Sequence, residues 1–220
     1  METTPVWLRE RRSGVGRPAE RSRAEVTAAA ITLADREGLA AVSMRRIAAE
    51  LNTGAASLYR YVDSRDDLLD LMTDEVAAGY HLSAPGGPWL PALLEVCRQG
   101  RDLMLRHRWL PELVLTRSPL GPHGADLLEH VLAVLADHPA DTGRKLEAFA
   151  VMTTLTAALA LNELNASTGA RERQGAYLAH VVAAGRHPHL TAALLSGRPT
   201  PEPRFEDTLS RVLTGLLTVQ

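Results

Sequence analysis

The sequence predicts an all-α protein with two parts, a small N-terminal three-helix unit and a larger helical body. Three observations carry that expectation. Ala and Leu abound while Phe and Trp are scarce, and no stretch alternates Val, Ile and Thr as a strand would. Apolar residues instead recur every three or four positions along most of the chain. A break of Pro and Gly, APGGP at 84–88, separates the first part from the second. At 220 residues the chain is long enough for one or two domains with a buried core.

Residues 1–20 show no periodicity and interleave Arg9, Arg11, Arg12 and Arg17 with Gly14, Gly16 and Pro18. They read either as a terminus without fixed structure or as a basic arm for a polyanion. A first helix should start at Ser22, because Ser22 and Glu25 have the spacing of a capping box in which each side chain satisfies a free amide. Val26, Ala30 and Leu33 then share one face, and Gly38 is placed to end the helix in a left-handed conformation. Ser43 can cap a second helix with Met44, Ile47, Ala48 and Leu51 inward.

Asn52 and Thr53 should turn the chain, since Asn tolerates positive φ. A third helix is expected over 54–62, anchored by Leu58 and Val62, with Ala55, Ala56, Ser57, Tyr59 and Arg60 facing out. Ser64 and Asp67 suggest a weaker capping box for a fourth helix, with Leu68, Leu71, Met72 and Val76 inside. Beyond the break, helical spacing runs from Trp89 to His107 and again from Leu127 to Leu135. A long helix is expected over 142–166, two shorter ones over 170–184 and 187–195, and a last one carrying the stripe Phe205, Leu209, Val212, Leu213, Leu216 and Leu217.

The net charge of −2 hides an asymmetry. Residues 1–65 hold 11 arginines against 8 carboxylates, and residues 66–220 hold 13 basic against 18 acidic side chains. A basic end on an acidic body suits a polyanion at that end only. Of the 24 basic residues only Lys145 is not arginine, and the planar guanidinium fork suits phosphate and guanine edges, although a GC-rich genome would enrich arginine without any such role.

The stretch 43–65 presents a short helix that small residues allow close to a surface, with donors on either side and a supporting helix behind. That combination suits insertion into the DNA major groove, where Ala55 and Ala56 can touch thymine methyls and Ser57, Tyr59, Arg60 and Tyr61 can donate to bases or phosphates. An amphipathic hairpin with a merely solvated charged face would share the spacing.

Residues 22–76, through AAELNTGAASLYRYVDSRDDLLDLM, resemble the DNA-binding module of the TetR family of bacterial transcriptional regulators. The characteristic pieces are Leu58 to Val62 and Ser64 to Leu69. Many members carry Leu-Gly-Val where Leu51, Asn52 and Thr53 stand here. The resemblance implies that Arg45 contacts bases or phosphate, that Ala55, Ala56, Ser57 and Arg60 line the groove, and that Tyr59, Tyr61 and Arg65 hold the backbone. It divides the chain into an arm (1–20), a helix-turn-helix DNA-binding domain (21–66) and a regulatory ligand-binding and dimerisation domain (67–220).

The body is similar to the branch nearest the tetracycline repressor, through HRWLPELVL (107–115), SPLGPHGADLLEH (118–130) and FEDTLSRVLTGLL (205–217). That likeness implies a homodimer in which helix 142–166 and the last helix pack on their copies, with Phe205, Leu209, Val212, Leu213 and Leu216 at the interface. The same apolar stripe would serve equally as the subunit's own core. The likeness also implies a small-molecule pocket, for which Trp89, Met104, His107, Trp109, Phe149, Met152, Thr153, Thr156 and Asn162 are candidates, the aromatic and Met residues being equally good core material. The implied function is a repressor released from a palindromic operator by a small, largely apolar effector.

No Ser-His-Asp order, phosphate-binding Gly-rich loop or carboxylate pair points to an enzyme, and a helical protein-binding adaptor is the other reading of the hairpin. No metal site is expected, because His187 and His189 flank Pro188 off a common helix face, and His123 and His130 lack a third ligand. No cofactor is expected. The one cysteine, Cys97, excludes an intramolecular disulfide. The polar, arginine-rich start is unlike a secretory signal, and the longest nearly apolar run, 148–161, is 14 residues against the ~20 of a membrane span. A cytoplasmic location and no membrane partner are expected.

Overall fold

A computed structural model describes residues 4–9, 21–117, 120–166, 168–195 and 205–218. Among them lie eleven α-helices: α1 (Arg23–Glu37), α2 (Met44–Glu50), α3 (Ala55–Leu58), α4 (Arg65–Ala77), α5 (Trp89–Arg106), α6 (Leu110–Thr116), α7 (Pro122–Val134), α8 (Thr142–Asn165), α9 (Thr168–Ala183), α10 (Pro188–Leu195) and α11 (Phe205–Leu217). No strand occurs among the described residues. No helix there is long and apolar enough to cross a membrane.

The local signals act as their chemistry dictates. At the start of α1 the Glu25 amide donates to Ser22 Oγ at 3.1 Å, and the Ser22 amide donates to the Glu25 carboxylate at 2.6 Å. Gly38 ends α1 at φ 84° with its amide on the Ala34 carbonyl, a conformation costly for any residue with a Cβ. Ser43 and Ser64 cap α2 and α4. The Asp67 carboxylate does not close the second box, because Arg9 takes it at 2.6 Å.

The head is a three-helix unit around Val26, Ala30, Leu33, Ile47, Leu58 and Val62. Its core does not stop at the domain border. Leu68, Met72 and Val76 of α4 carry it into Met104, Leu110 and Leu113 of α5 and α6 and onto Ala157 and Ala160 of α8. Head and body therefore share one apolar interior, with α4 running through both. A second cluster fills the far end of the body, where Leu93, Val131, Leu135 and Met152 meet Leu209, Leu213 and Leu217 of α11. In the body α8 is the central helix, packed on α5, α6 and α11. The described side chains of α9 and α10 include none that is buried, and Tyr177, Leu190, Leu194 and Leu195 are exposed.

Two expectations change here. Leu209 and Leu213 are fully buried in their own subunit, so they do not face a partner. Helix α11 packed on α8 turns one face inward, and Leu209, Leu213 and Leu217, each four residues from the next, fill it. Phe205, Val212 and Leu216 remain half-buried on the flank. Within the 1–20 stretch, Val6 is buried in a short 3-10 turn and Trp7 leans on the core. The rest of that stretch, with Arg11, Arg12 and Arg17, lies outside the described residues.

Candidate nucleic-acid interface and inner cavity

The turn between α2 and α3 is built by Asn52 at φ 50°, with the Thr53 amide on the Ala48 carbonyl at 2.9 Å. The α-helical part of α3 is a single turn. It continues to Val62 through tighter bonds, the Tyr61 amide reaching the Leu58 carbonyl at 2.9 Å and the Val62 amide the same oxygen at 3.2 Å. Leu58 and Val62 are buried and lock this rod inward. Ala56, Tyr59 and Arg60 face out, Tyr59 being 48% exposed. Ala55, Ser57 and Tyr61 are half-buried at its margins. Ser57 Oγ donates to the Gly54 carbonyl at 2.7 Å and lies 2.8 Å from Thr53 Oγ1. Its hydrogen is thereby spent, so Ser57 is left to accept rather than donate.

The arginines of the head divide into two groups. Arg21 donates to the Leu51 carbonyl and Arg23 to the Tyr61 and Val6 carbonyls, bracing the start of α1 against the turn and the rod. Arg36 pairs with Glu37 and Glu50, and Arg46 with Glu37 at 2.6 Å. These cations hold the Glu37 carboxyl below its usual range, the hydrogen bond from Arg36 being the largest cause. Arg65 donates through Nε to the Val42 carbonyl at 2.8 Å and through its terminal nitrogen to the Leu39 carbonyl at 3.1 Å, which fixes α4 to the α1–α2 connection. Arg45 and Arg60 are exposed and have no partner among the described residues. No internal ion pair has to be broken before they meet a phosphate or a base.

The head is tied to the body by three polar links. Asp35 of α1 accepts from Trp109 Nε1 at 2.7 Å and lies 2.9 Å from His107 Nδ1. Arg117 reaches Asp66 and Asp70 of α4 at 3.0 and 2.9 Å. Asp74, buried in α4, accepts from the Gly124 amide at 3.0 Å and faces His123 Nδ1 at 3.2 Å. Gly121 is needed beside it, since a Cβ there would collide with the Asp74 carboxylate and the Trp7 ring.

Beneath these links lies a cavity of about 230 Å³ between α4, α5, α6, α7 and α8. Its walls are mostly apolar, with Val76, Leu103, Met104, Leu127, Phe149 and Met152 among them. Its polar groups are the hydroxyls of Thr73, Tyr80, Thr153, Thr154 and Thr156 and the Cys97 thiol. No carboxylate, imidazole, ammonium or guanidinium lines it among the described residues. Burial pushes the Tyr80 phenol well above its usual value and the Cys97 thiol up to about 11, so both are neutral. Gly100 lets Tyr80 fold over α5, because a Cβ there would lie 2.5 Å from Tyr80 Oη.

Comparison with known proteins matches two stretches of the chain. Residues 26–72 match the model for bacterial regulatory proteins of the tetR family, and residues 83–220 match the tetracyclin repressor-like C-terminal domain. The chain is 33% identical over 224 residues to the HTH-type transcriptional repressor DrrR1 of Streptomyces coeruleorubidus, covering 96% of this chain and 83% of that one. The chain belongs to the TetR family of bacterial transcriptional regulators. Apo ActR of Streptomyces coelicolor superposes with a TM-score of 0.78 at 32% identity, covering 90% of this chain and 95% of ActR. ActR in complex with actinorhodin superposes at 0.75, again at 32% identity, with 90% and 96% covered.

In this TetR-family chain the structure gathers Met104, Phe149, Met152, Thr153 and Thr156 around one cavity. Four other pocket candidates lie elsewhere. Trp89 stacks edge-on against His138 at 5.1 Å, at the far end of the body. His107 and Trp109 belong to the link with Asp35. Asn162 is exposed near the end of α8. All four sit on helical faces that look inward by sequence spacing, but the α5–α6 bend turns His107 and Trp109 toward the head. Sequence reasoning missed Thr73, Tyr80 and Leu127 as wall residues, and Arg21, Arg23 and Asp35 as braces. The first three come from α4, its end and α7, whose convergence on α8 is a tertiary fact. No group of three or more His, Cys, Asp or Glu suited to a metal occurs among the described residues.

Proposed function

We propose that two copies of this chain form a twofold dimer that represses transcription from a palindromic operator and lets go when a small, largely apolar effector enters the cavity. The observation that carries the reading is the path of α4. Its first residue, Arg65, is fastened to the head, while Thr73, Val76 and Ala77 form cavity wall. A ligand that repositions this wall repositions the reading rod, and a ligand with different affinity for the two arrangements shifts their populations. Arg45 and Arg60 would supply the base and phosphate contacts, Ala55, Ala56 and Tyr59 the close surface, and Ser57 and Tyr61 the margins. Arg65 would act chiefly by fixing α4. DrrR1 is a repressor by name and ActR binds actinorhodin, which supports both halves of the reading.

A dimer face is available on the outer side of α8 and α11. Leu146 of α8 is 42% exposed, and Val212 and Leu216 of α11 are half-buried. Twofold pairing there would set two rods against half-sites about 34 Å apart. Among the described residues the cavity holds no acid–base pair or activated nucleophile, which favours a binding role over catalysis in a cytoplasmic regulator. Selection of bound duplexes from a random pool, followed by mobility shift with the selected site, tests the reading. A dimer footprint with twofold symmetry is expected. A monomer indifferent to duplex DNA would refute it.

A further inference from the structure

The hydrogen-bond state of the cavity's hydroxyls defines what kind of molecule it takes, given that it is the effector site. Thr73 Oγ1 donates to the Leu69 carbonyl at 3.0 Å, and Thr153 Oγ1 donates to the Phe149 carbonyl at 2.9 Å. A hydroxyl has one hydrogen, so these two offer only lone pairs to a ligand. Thr156 is 3% exposed, and its Oγ1 is buried with no hydrogen-bond partner. The Cys97 thiol is close enough to feel it but not in bonding geometry. Tyr80 Oη forms no hydrogen bond among the described residues, and it lies over Gly100 alongside the Thr156 methyl. The cavity wall therefore carries two unspent donors, Thr156 on α8 and Tyr80 beyond α4, and spent ones at Thr73 and Thr153.

Leaving a buried hydroxyl unpaired is costly, and such an atom in a native interior marks something that binds there. With no charged wall, an ion entering this space would be desolvated without compensation.

We propose that the cavity takes an uncharged, mainly apolar molecule bearing a carbonyl-type acceptor, held by the Thr156 and Tyr80 hydroxyls, and a hydroxyl-type donor directed at the lone pairs of Thr153 and Thr73. The helix geometry sets the spacing. Thr153 and Thr156 are three residues apart on α8, so acceptor and donor sit about 5 Å from one another along that wall. The acceptor decides recognition, because Thr156 and Tyr80 are the groups that gain a bond they otherwise lack. The donor contributes less, since Thr153 and Thr73 are already satisfied.

The test uses the full-length protein and four matched probes in equilibrium titrations: 6-hydroxyflavone, 6-methoxyflavone, 2-phenylnaphthalene and flavone-6-carboxylate. Binding is expected in that order, the carboxylate failing. Thr156→Val keeps the shape and removes an unpaired hydroxyl, so the variant should fold at least as well. It should bind both neutral flavones about three- to tenfold more weakly while its affinity for 2-phenylnaphthalene is unchanged or improved. Equal affinity of the variant for the flavones, or a parallel loss for the hydrocarbon, overturns the donor assignment. Tightest binding by the carboxylate overturns the neutrality. If no probe binds, hydrocarbon included, both this assignment and the cavity's role as effector site fall. If the hydrocarbon binds and the flavones show no preference over it, only this assignment falls.

Discussion

Arg60 and Arg45 differ from their neighbours in having no partner among the described residues. Arg21, Arg23, Arg36, Arg46 and Arg65 are all engaged with carbonyls or carboxylates of the head. Replacing Arg60 with Ala should therefore leave the fold intact and weaken operator binding by about 1–3 kcal/mol, with relaxed preference at one base position. An unchanged dissociation constant in a fluorescence anisotropy titration would remove Arg60 from the interface. Cys97 gives a second prediction at this scale. With its thiol pushed up to about 11, only about one molecule in a thousand carries a thiolate at pH 8. Its reaction with a disulfide reagent should be slow in the native protein, rise about tenfold per pH unit toward 11, and become fast on unfolding. Fast labelling of the native chain at pH 7 would contradict the buried placement. Leu58 and Val62 facing in and Ala56, Tyr59 and Arg60 facing out were legible in the sequence from helical period, although Ala55 and Ser57, expected outward, are half-buried. The spent hydrogen of Ser57 was not, since it depends on a turn geometry that brings Thr53 and Gly54 to it.

At the scale of elements, capping boxes, breakers and apolar period placed the helix boundaries close to where the structure has them. The long helix runs Thr142–Asn165 against an expected 142–166, and the first starts at the Ser22 cap. Two helices are exceptions: α6 (Leu110–Thr116), for which no separate helix was expected, and the third helix. Its α-helical part is four residues, because Leu58 receives two amides at its carbonyl and the winding tightens. Pocket assignment fared less well for the same kind of reason. A helix face predicts that a side chain turns inward, not which neighbour it meets, and the bend after Arg106 sends Trp109 to Asp35. Asp35→Ala would leave a buried indole N–H without an acceptor and should lower thermal stability by about 1–3 kcal/mol. The loosened seam between head and body should also weaken operator affinity. A melting curve identical to the parent's would show that the link carries no load.

For the whole molecule, α11 separates two roles that its apolar stripe alone cannot distinguish. Leu213→Ala opens a hole in the subunit interior and should cost about 2–5 kcal/mol of stability. Val212→Arg meets only the outer flank. It should leave the subunit folded but shift sedimentation to the monomer and abolish cooperative operator binding. A dimeric Val212→Arg protein would place the interface elsewhere. The sequence showed a stripe that had to be buried, but inner and outer faces of one helix become distinct only when α8 is in place beside it.

The continuity of α4 also constrains how such a regulator can be altered, in nature or in the laboratory. A substitution at Thr73, Val76 or Ala77 changes two properties at once, what the cavity accepts and how tightly the promoter is held without it. The opposite wall, from Phe149 to Thr156, lies on α8, which supplies none of the hydrogen bonds that fasten Arg65 to the head. Variation there can retune the chemical sensitivity of a biosensor while its background signal stays where it was. New inducer specificities should therefore be sought on α8 first.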